Sequence, residues 1–441
     1  MKKSLFALAA TTAFAGAAHA QSSVTVYGIL DMGYVGSNVR DVAAQTAGAA
    51  NTTQNAVTKT TKSAFGQSAQ STNRLGFRGT EDLGGGSSAF FTVEIGLTPQ
   101  NPNASGAVAA TSYSSYVSAA ATGINTDQGG SAIDNRQSFV GLKKNGIGQF
   151  AFGRQYTTIF NAAAATDPGA FNNVIGNLVY VGTSVSANGG TGANTGFTNR
   201  ASNALTASTD TFAGFKVNGF YAANNTNATV QVTGATTAGG NTNWGGWGLG
   251  ADYKWNKLLV TANYQSFRTS YSNPLTGTST TISNFGQEVT SGSITTLVTN
   301  SAAQTTDKQT YVAATYDFGI LKAYAQWIGR QITQGNTISA TLPAGVQMNR
   351  NAQQVGVRSY ITPTVESWAS IGTGKYRGAD TSTGAPASLN MLAWQLGSNY
   401  YLSKRTNLYA IYGQAQSTSS TSVAGSGSSG NQYALGLRHT F

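Results

Sequence analysis

Single charged residues stand at similar distances from short turns in this chain, an arrangement that could create a local electric field. Arg74 lies seven residues before the turn that begins at Glu81, and Arg136 lies seven residues before a later turn. Glu94 lies six residues after the first of these turns. If the segments are tilted β-strands that rise about 3.3 Å per residue, side chains six to nine residues from a turn stand roughly 14–21 Å above it. We therefore predict that Arg74, Arg136 and Glu94 share one height.

Three further arginines extend this set. Arg200 lies nine residues before its turn, and Arg154 lies six residues after one. Arg154 has the same strand parity as Phe150 and Phe152, so the alternation does not decide which face of the strand carries its side chain. Arg78 stands somewhat lower than the others. We predict that Arg154 and Arg200 share the height of Arg74, Arg136 and Glu94, so that four arginines and one glutamate form a ring of charge, with Arg78 below it.

The chemistry that such a ring would supply is electrostatic. Arginine keeps its positive charge and offers a rigid fork of donors. A passage lined by arginines concentrates anions and disfavours cations. The expected result is a weak to moderate preference for anions. The alternative is that these residues are unrelated charges in contact with water. Lys216, Lys322 and Arg358 are further candidates for side chains that face the interior of the passage.

The segments that carry these residues alternate apolar and polar side chains with period two, which indicates β-strands. In residues 352–361, for example, Val355 and Val357 oppose Gln354. The last segment alternates in the same way up to Phe441. The arginines therefore belong to strands that have one apolar face.

The composition favours strands that cross a membrane. Only 9% of the 441 residues are charged, whereas a soluble protein usually carries about 25%. Mean hydropathy is an ordinary −0.17, and past the N-terminus the sequence shows no run of about 20 apolar residues. Strands with one face in lipid and the other in water produce this combination.

Short and long connections alternate along the chain. The seven short ones are 81–88, 143–148, 209–214, 254–257, 316–319, 362–364 and 402–406, and the eight long polar ones are about 35–71, 98–134, 155–197, 223–243, 269–307, 331–349, 377–388 and 417–430. Together they predict an all-β fold, a 16-stranded antiparallel transmembrane β-barrel with short periplasmic turns and long extracellular loops. A barrel of 16 strands leaves an aqueous channel.

Residues 1–20 have the form of a signal peptide. Lys2 and Lys3 precede a short apolar stretch, and an Ala-His-Ala site ends at Ala20. We predict cleavage before Gln21, which leaves residues 21–441 as one barrel domain in the outer membrane of the cell. This mature chain would meet membrane lipid and lipopolysaccharide.

Other classes of function fit the sequence poorly. His439 is the single histidine of the predicted mature chain, and the chain has no cysteine. A histidine base beside a nucleophile or carboxylate is therefore not available, and we predict no enzyme, no cofactor and no metal site. The basic residues are scattered singly, which argues against a nucleic-acid partner.

Several motifs resemble those of one family. The segments that carry the likeness are 23–31 (SVTVYGILD), 74–86 (RLGFRGTEDLGGG), 135–142 (NRQSFVGL), 152–156 (FGRQY), 402–406 (LSKRT) and 436–441 (GLRHTF). They are similar to those of Gram-negative general porins, in particular the betaproteobacterial outer-membrane porins of the Burkholderia, Bordetella, Comamonas and Neisseria type. The resemblance runs along the whole predicted mature chain.

This resemblance implies more than strand parity does. It implies a homotrimer and a third loop, residues 155–197, that folds into the barrel with Asp167 facing the arginines. Arginines of anion-selective members stand at the positions of Arg74, Arg136 and Arg200, and a glutamate matches Glu94. The chain departs from the family at 210–214 and in the loops 35–71, 98–134 and 269–307.

The C-terminal residue has an implied role of its own. Phe441 resembles the terminal aromatic residue that the barrel-assembly machinery recognises in outer-membrane proteins. The alternative is an apolar residue that simply ends a strand.

Two channel functions stay open on this evidence. One is passive diffusion of small hydrophilic solutes and ions, with weak anion preference. The other is a channel for a particular anion or sugar. A sugar channel would need an aromatic track, and Tyr156, Phe160 and Phe171 in the third loop do not predict an ordered one.

Overall fold

The computed structural model describes residues 23–42, 57–100, 105, 133–180, 196–233, 236–272, 280–282, 296–298, 302–335, 345, 347–379, 386–420 and 426–441. The predicted signal peptide, residues 1–20, lies outside the described residues. So do large parts of the predicted loops 35–71, 98–134 and 269–307.

Strands dominate the fold because period-two alternation runs through nearly every described segment. The strands are β1 (Ser23–Val42), β2 (Val57–Gln67), β3 (Arg74–Gly84), β4 (Ser87–Gly96), β5 (Asn135–Lys144), β6 (Gly148–Tyr156), β7 (Arg200–Thr209), β8 (Phe215–Thr233), β9 (Thr236–Trp255), β10 (Leu258–Ser272), β11 (Thr280–Ile282), β12 (Thr296–Val298), β13 (Ala302–Asp317), β14 (Lys322–Gln334), β15 (Gln347–Thr362), β16 (Val365–Ala379), β17 (Pro386–Tyr401), β18 (Thr406–Ser420) and β19 (Ser426–Thr440). All strands pair antiparallel, and β11 and β12 form a separate two-stranded sheet.

The remaining 17 described strands form one sheet that closes on itself through β1. One edge of β1 pairs with β19, and its other edge pairs first with β3 and then with β2. Since β2 and β3 share one position beside β1, the described strands fill 16 positions. The predicted 16-stranded antiparallel barrel is thus confirmed. Closure pairs the first strand with the last, as a sheet in lipid requires.

The chain termini meet at the seam of the barrel. Gly28 N donates to Phe441 O at 3.0 Å, and Phe441 N donates to Gly28 O at 3.2 Å. The Phe441 ring lies directly over Gly28, where a Cβ atom would collide with it. The last residue therefore completes the pairing between the first and last strands.

Apolar side chains point outward and polar side chains point inward. On β15, Val355 and Val357 are exposed on the outer surface while Gln354 is buried on the inner one. This pattern matches a lipid environment outside and a polar lumen inside. Among the described residues, no helix is long and apolar enough to cross a membrane.

All seven predicted short connections are tight turns, but several strands extend farther than the alternation predicted. β8 and β9 continue as a hairpin to Thr233 and Thr236, through most of the predicted loop 223–243. Period-two hydrophobicity ends where both faces become polar, although backbone pairing continues. The hydrophobic pattern therefore marks the membrane-embedded part of a strand rather than its full length.

The third loop connects β6 and β7, and its described parts, residues 157–180 and 196–199, fold into the barrel. It begins with the helix α1 (Thr158–Thr166), whose N-terminus is capped by the Thr157 side chain accepting from Phe160 N at 3.3 Å. The helix packs on the inner faces of β10 and β13. Ile159 and Ala163 of this helix join a buried apolar cluster inside the barrel. The predicted inward third loop is present in its described parts, 157–180 and 196–199.

Candidate functional site

Three arginines and one glutamate from neighbouring strands meet inside the barrel. We call Arg74, Glu94, Arg136 and Arg200 the arginine cluster; they lie on β3, β4, β5 and β7. Arg136 Nε donates to Glu94 Oε1 at 2.7 Å, and Arg74 Nη1 lies 3.8 Å from the same oxygen. Both Glu94 and Arg136 are about 95% buried. Four of the five residues predicted to share a height thus lie close together on β3, β4, β5 and β7, and Arg74 and Arg136 both contact the Glu94 carboxylate.

Two tyrosines connect the members of this cluster. Tyr27 OH donates to Glu94 Oε2 at 3.1 Å. Arg136 Nη2 donates to Tyr156 OH at 2.9 Å, and Arg200 Cζ lies 5.2 Å from the centre of the Tyr156 ring. Sequence reasoning did not assign a site role to either tyrosine. The strand parity of Tyr27 could have indicated that it faces the lumen, because it alternates with Val24 and Val26, which face outward.

A β-bulge turns Arg136 toward the lumen. Val140 and Leu142 of β5 face outward, and strict alternation would place Arg136 on their side. The register between β4 and β5 shifts beside Glu94, so that β5 has one extra residue at this point. A bulge re-aims a side chain in this way. The height of Arg136 was predictable, but its direction depends on this irregularity.

Arg78 and Arg154 lie beside the cluster rather than at its centre. Arg78 Cζ lies 5.5 Å from the centre of the Tyr27 ring. Arg78 pairs with Thr92 on the neighbouring strand β4, two residues before Glu94. Arg154 Nε donates to Asn135 O at 2.8 Å, and its Nη1 donates to Ser202 Oγ at 2.6 Å. Arg154 thus fastens β5, β6 and β7 to one another. Its membership of the ring of charge stays a prediction.

Asp167 lies away from the arginine cluster, which corrects an expectation. Its carboxylate accepts from Asn177 Nδ2 at 2.6 Å and from Gln354 Nε2 of β15 at 3.4 Å. Beside it, Arg358 donates to Pro168 O at 2.9 and 2.6 Å. The third loop crosses to this side because its backbone finds hydrogen-bond partners there. Asp167 therefore stabilises the turn of the loop instead of facing Arg74, Arg136 and Arg200.

The two sides of the interior differ in charge. The arginine cluster has three cations and one anion, which gives it a net charge of two positive units. On β13–β16, by contrast, Arg330 Nη2 lies 2.7 Å from Asp307 Oδ2, and Arg358 Nη1 lies 3.2 Å from Glu366 Oε1. Those arginines are balanced one to one by carboxylates. Arg350 on β15 adds one positive charge to that side and packs against the third loop, so the larger local excess of positive charge lies on the β3–β7 side.

The aromatic residues of the third loop pack on one another. The ring centres of Tyr156 and Phe160 are 4.0 Å apart in a parallel stack, and so are those of Phe171 and Tyr180. Phe197 lies 6.1 Å from Tyr180 and is fully buried. Because the stacked faces cover each other, these rings form the core of the loop. They do not offer the row of free faces that a sugar track needs.

Comparison with known proteins identifies this architecture. The sequence model of the Gram-negative porins matches residues 7–420. The chain belongs to the Gram-negative porin family. It is therefore a channel protein of the outer membrane, as its resemblance to this family predicted. An outer membrane porin protein of Bordetella pertussis is 29% identical over 465 aligned positions, which span 100% of both chains.

Other porins are similar over part of the sequence or in fold. Outer membrane porin protein 32 of Delftia acidovorans is 46% identical over 106 residues, 24% of this chain and 25% of that one. The solved anion-selective porin from Comamonas acidovorans has a TM-score of 0.55 at 20% identity and covers 96% of this chain and 100% of its own. A trimer form of OmpT from Vibrio cholerae has a TM-score of 0.52 at 14% identity, covering 95% and 99%. These porins share the barrel fold with the chain.

Proposed function

We propose that this porin is a general diffusion channel for small hydrophilic solutes and ions, with a weak anion preference set by the arginine cluster. The observation that carries the proposal is the excess of positive charge around Glu94. Three guanidinium groups on β3, β5 and β7 raise the local concentration of anions in a water-filled passage. The related anion-selective porin from Comamonas acidovorans supports the same direction.

Reversal potentials across planar bilayers in a salt gradient test this proposal. Arg74→Glu changes the charge of the cluster by two units, and we expect anion preference to be lost. Arg405→Glu is the matched control, because it makes the same change of charge in an exposed turn. A wild-type channel that prefers cations would refute the proposal, and so would equal shifts in the two variants.

A channel for one particular anion or sugar is the other candidate. The mutual stacking of the loop aromatics argues against a sugar track. Titration of single channels with sugars, phosphate and small carboxylates separates the two functions. A solute that blocks conductance at micromolar concentration would show that the channel is specific.

We infer that the functional unit is a homotrimer. The trimer form of OmpT supports this assembly for a barrel of the same fold. A trimer predicts a slow-migrating band in unboiled gels that converts to a monomer band on heating. A monomer band under all mild conditions would contradict it.

Three further assignments complete the proposal. We infer that residues 1–20 are removed in export, so that the N-terminus of the mature protein is Gln21, which protein sequencing can check. We infer that the apolar outer side chains contact membrane lipid and lipopolysaccharide. Phe441 is proposed to be recognised by the barrel-assembly machinery, and its deletion should reduce assembled barrel far more than Phe441→Tyr.

The proposal includes no catalytic activity. The matched family and relatives are channels. In the part of the chain that the structure describes, His439 is the one histidine, and its ring Nδ1 pairs with Thr406 Oγ1 at 2.9 Å. Hydrolysis of ester or peptide substrates by purified, folded protein would contradict this assignment.

A further inference from the structure

Buried glutamines from alternate strands contact the backbone of the third loop. Gln309, Gln354, Gln395 and Gln432 lie on β13, β15, β17 and β19, and each is at most 2% exposed. We call these four residues the glutamine collar. Their side chains lie on the inner face of the barrel. The residues before and after each of them along the strand face outward.

Each collar glutamine is hydrogen-bonded to a main-chain group of the loop. Gln309 Oε1 accepts from Thr198 N at 2.8 Å, and Gln354 Oε1 accepts from Leu178 N at 3.1 Å.

The other two bonds fall on consecutive residues of the loop. Gln395 Nε2 donates to Val174 O at 2.9 Å, and Gln432 Oε1 accepts from Ile175 N at 2.9 Å. The four bonds thus follow the loop along the inner wall of β13–β19.

The residue type suits this role. An irregular loop buried against a wall leaves N–H and C=O groups that must find partners. A glutamine amide is long, offers both a donor and an acceptor, and carries no charge. A carboxylate or ammonium group in the same place would lose its hydration and require a counter-charge. The collar can therefore hold the loop without adding a fixed charge to the channel.

A glycine between two of the glutamines allows the loop backbone to come close. Gly413 of β18 lies in register between Gln395 and Gln432. A Cβ atom at Gly413 would overlap the carbonyl oxygen of Ile175. The loop backbone thus fits into a gap between these two amides.

We infer that the glutamine collar positions the third loop and so sets the bore and the steadiness of the channel, separately from the arginine cluster that sets charge preference. The four glutamines are positioning residues, since they act through the loop. The inference rests on channel function but not on the proposed anion preference. A cation-preferring wild type would overturn the latter and leave the collar untouched.

Single-channel recordings of Gln395→Met and Gln354→Met test the collar. Methionine keeps the length of the side chain and removes the amide. Loss of one net hydrogen bond to the loop should raise the time spent in altered conductance levels about 2- to 12-fold, and Gln395→Met should exceed this because the Gln395 amide also pairs with Asn172 of the loop. The reversal potential should stay at the wild-type value, because no charge changes. Gln353→Met is the matched control, since Gln353 precedes Gln354 on β15 and is exposed.

Folding is checked first by the heat-dependent gel shift. Should one collar variant fail to assemble, Gln432→Met and Gly413→Ala perturb the same contact from other positions, and both should alter conductance levels. Folded collar variants with wild-type conductance and noise would overturn the inference. So would a shift of reversal potential equal to that of Arg74→Glu, because the collar would then act on charge.

Discussion

The two inner walls of this barrel use different chemistry. The wall of β3–β7 has strands of 9–11 residues and carries the arginine cluster. The wall of β13–β19 has strands of 13–16 residues and carries the glutamine collar. The first wall keeps an excess of charge, and the second holds a loop through neutral amides together with Arg350 and Arg358. Under the two proposals above, electrostatic preference and channel shape depend on different walls of one lumen.

Arg350 of β15 shows how the second wall treats a charge. It is 1% exposed, its Cζ lies 5.5 Å from the centre of the Tyr376 ring, and its Nη2 donates to Leu178 O. This guanidinium is packed against the third loop instead of lining open space. The position of a charge, and not only its presence, decides whether it can act on a solute.

The largest expected difference between the two walls is the change in ion selectivity when charged side chains are removed from each of them. Arg74→Gln with Arg200→Gln lowers the net charge of the arginine cluster from two to zero. A unit charge about 4–7 Å from an ion in water contributes about 0.6–1 kcal/mol, or roughly a three- to six-fold change per charge. We therefore expect the ratio of anion to cation permeability to fall close to one.

The matched double variant is Arg358→Gln with Glu366→Gln, which removes one cation and one anion from the opposite wall. Its permeability ratio should stay within the error of the wild type, measured from reversal potentials in the same gradient. If this variant changes the ratio as much as the first one, the arginine cluster is not the main source of selectivity.

A change of ionic strength should distinguish the effect of the arginine cluster from that of the glutamine collar without mutation. The Debye length is about 10 Å at 0.1 M and about 3 Å at 1 M salt, so the field of the arginine cluster is screened as salt rises. Anion preference should therefore decrease between these concentrations at a fixed salt ratio. Amide hydrogen bonds carry no net charge, and the frequency of altered conductance levels should not follow the same trend. Parallel changes in both quantities would show that loop position depends on charge.

The sequence predicted one wall far better than the other. Counting residues from short turns placed Arg74, Arg136 and Glu94 at one height, because strand rise is regular. The same counting could not show that a bulge turns Arg136 inward. It also left Tyr27 without a role, since a tyrosine on a strand fits an aromatic girdle as well as a lumen.

The arrangement of the second wall depends on contacts that no local pattern in the sequence predicts. Gln354 was recognised on the polar face of its strand, but any lumen-facing amide has that parity. Its bond to Leu178 N exists only because the loop passes there, and the path of the loop follows from many such contacts. The misplacement of Asp167 has the same cause, since resemblance gave the loop but not the wall on which it lies.

The smallest predicted difference compares two tyrosine hydroxyls that donate to carboxylates. Tyr409 OH on β18 donates to Asp31 Oδ1 at 2.6 Å in a buried site, whereas Tyr27 OH donates to Glu94 at 3.1 Å in a partly buried one. Tyr409→Phe should cost about 2 kcal/mol of stability and Tyr27→Phe about 1 kcal/mol, as hydrogen bonds to charged groups strengthen with burial. Unfolding midpoints in guanidinium chloride measure both.

Single-channel noise should separate these variants as well. Asp31 Oδ2 also accepts from Gln70 N at 2.7 Å, which fastens the segment between β2 and β3. The carbonyl oxygen of Ala69 in that segment accepts from Asn173 N of the third loop at 2.8 Å. Tyr409→Phe should therefore increase altered conductance levels slightly, while Tyr27→Phe should leave them unchanged. A larger effect from Tyr27→Phe on either measurement would mean that the β3–β7 wall also holds the loop.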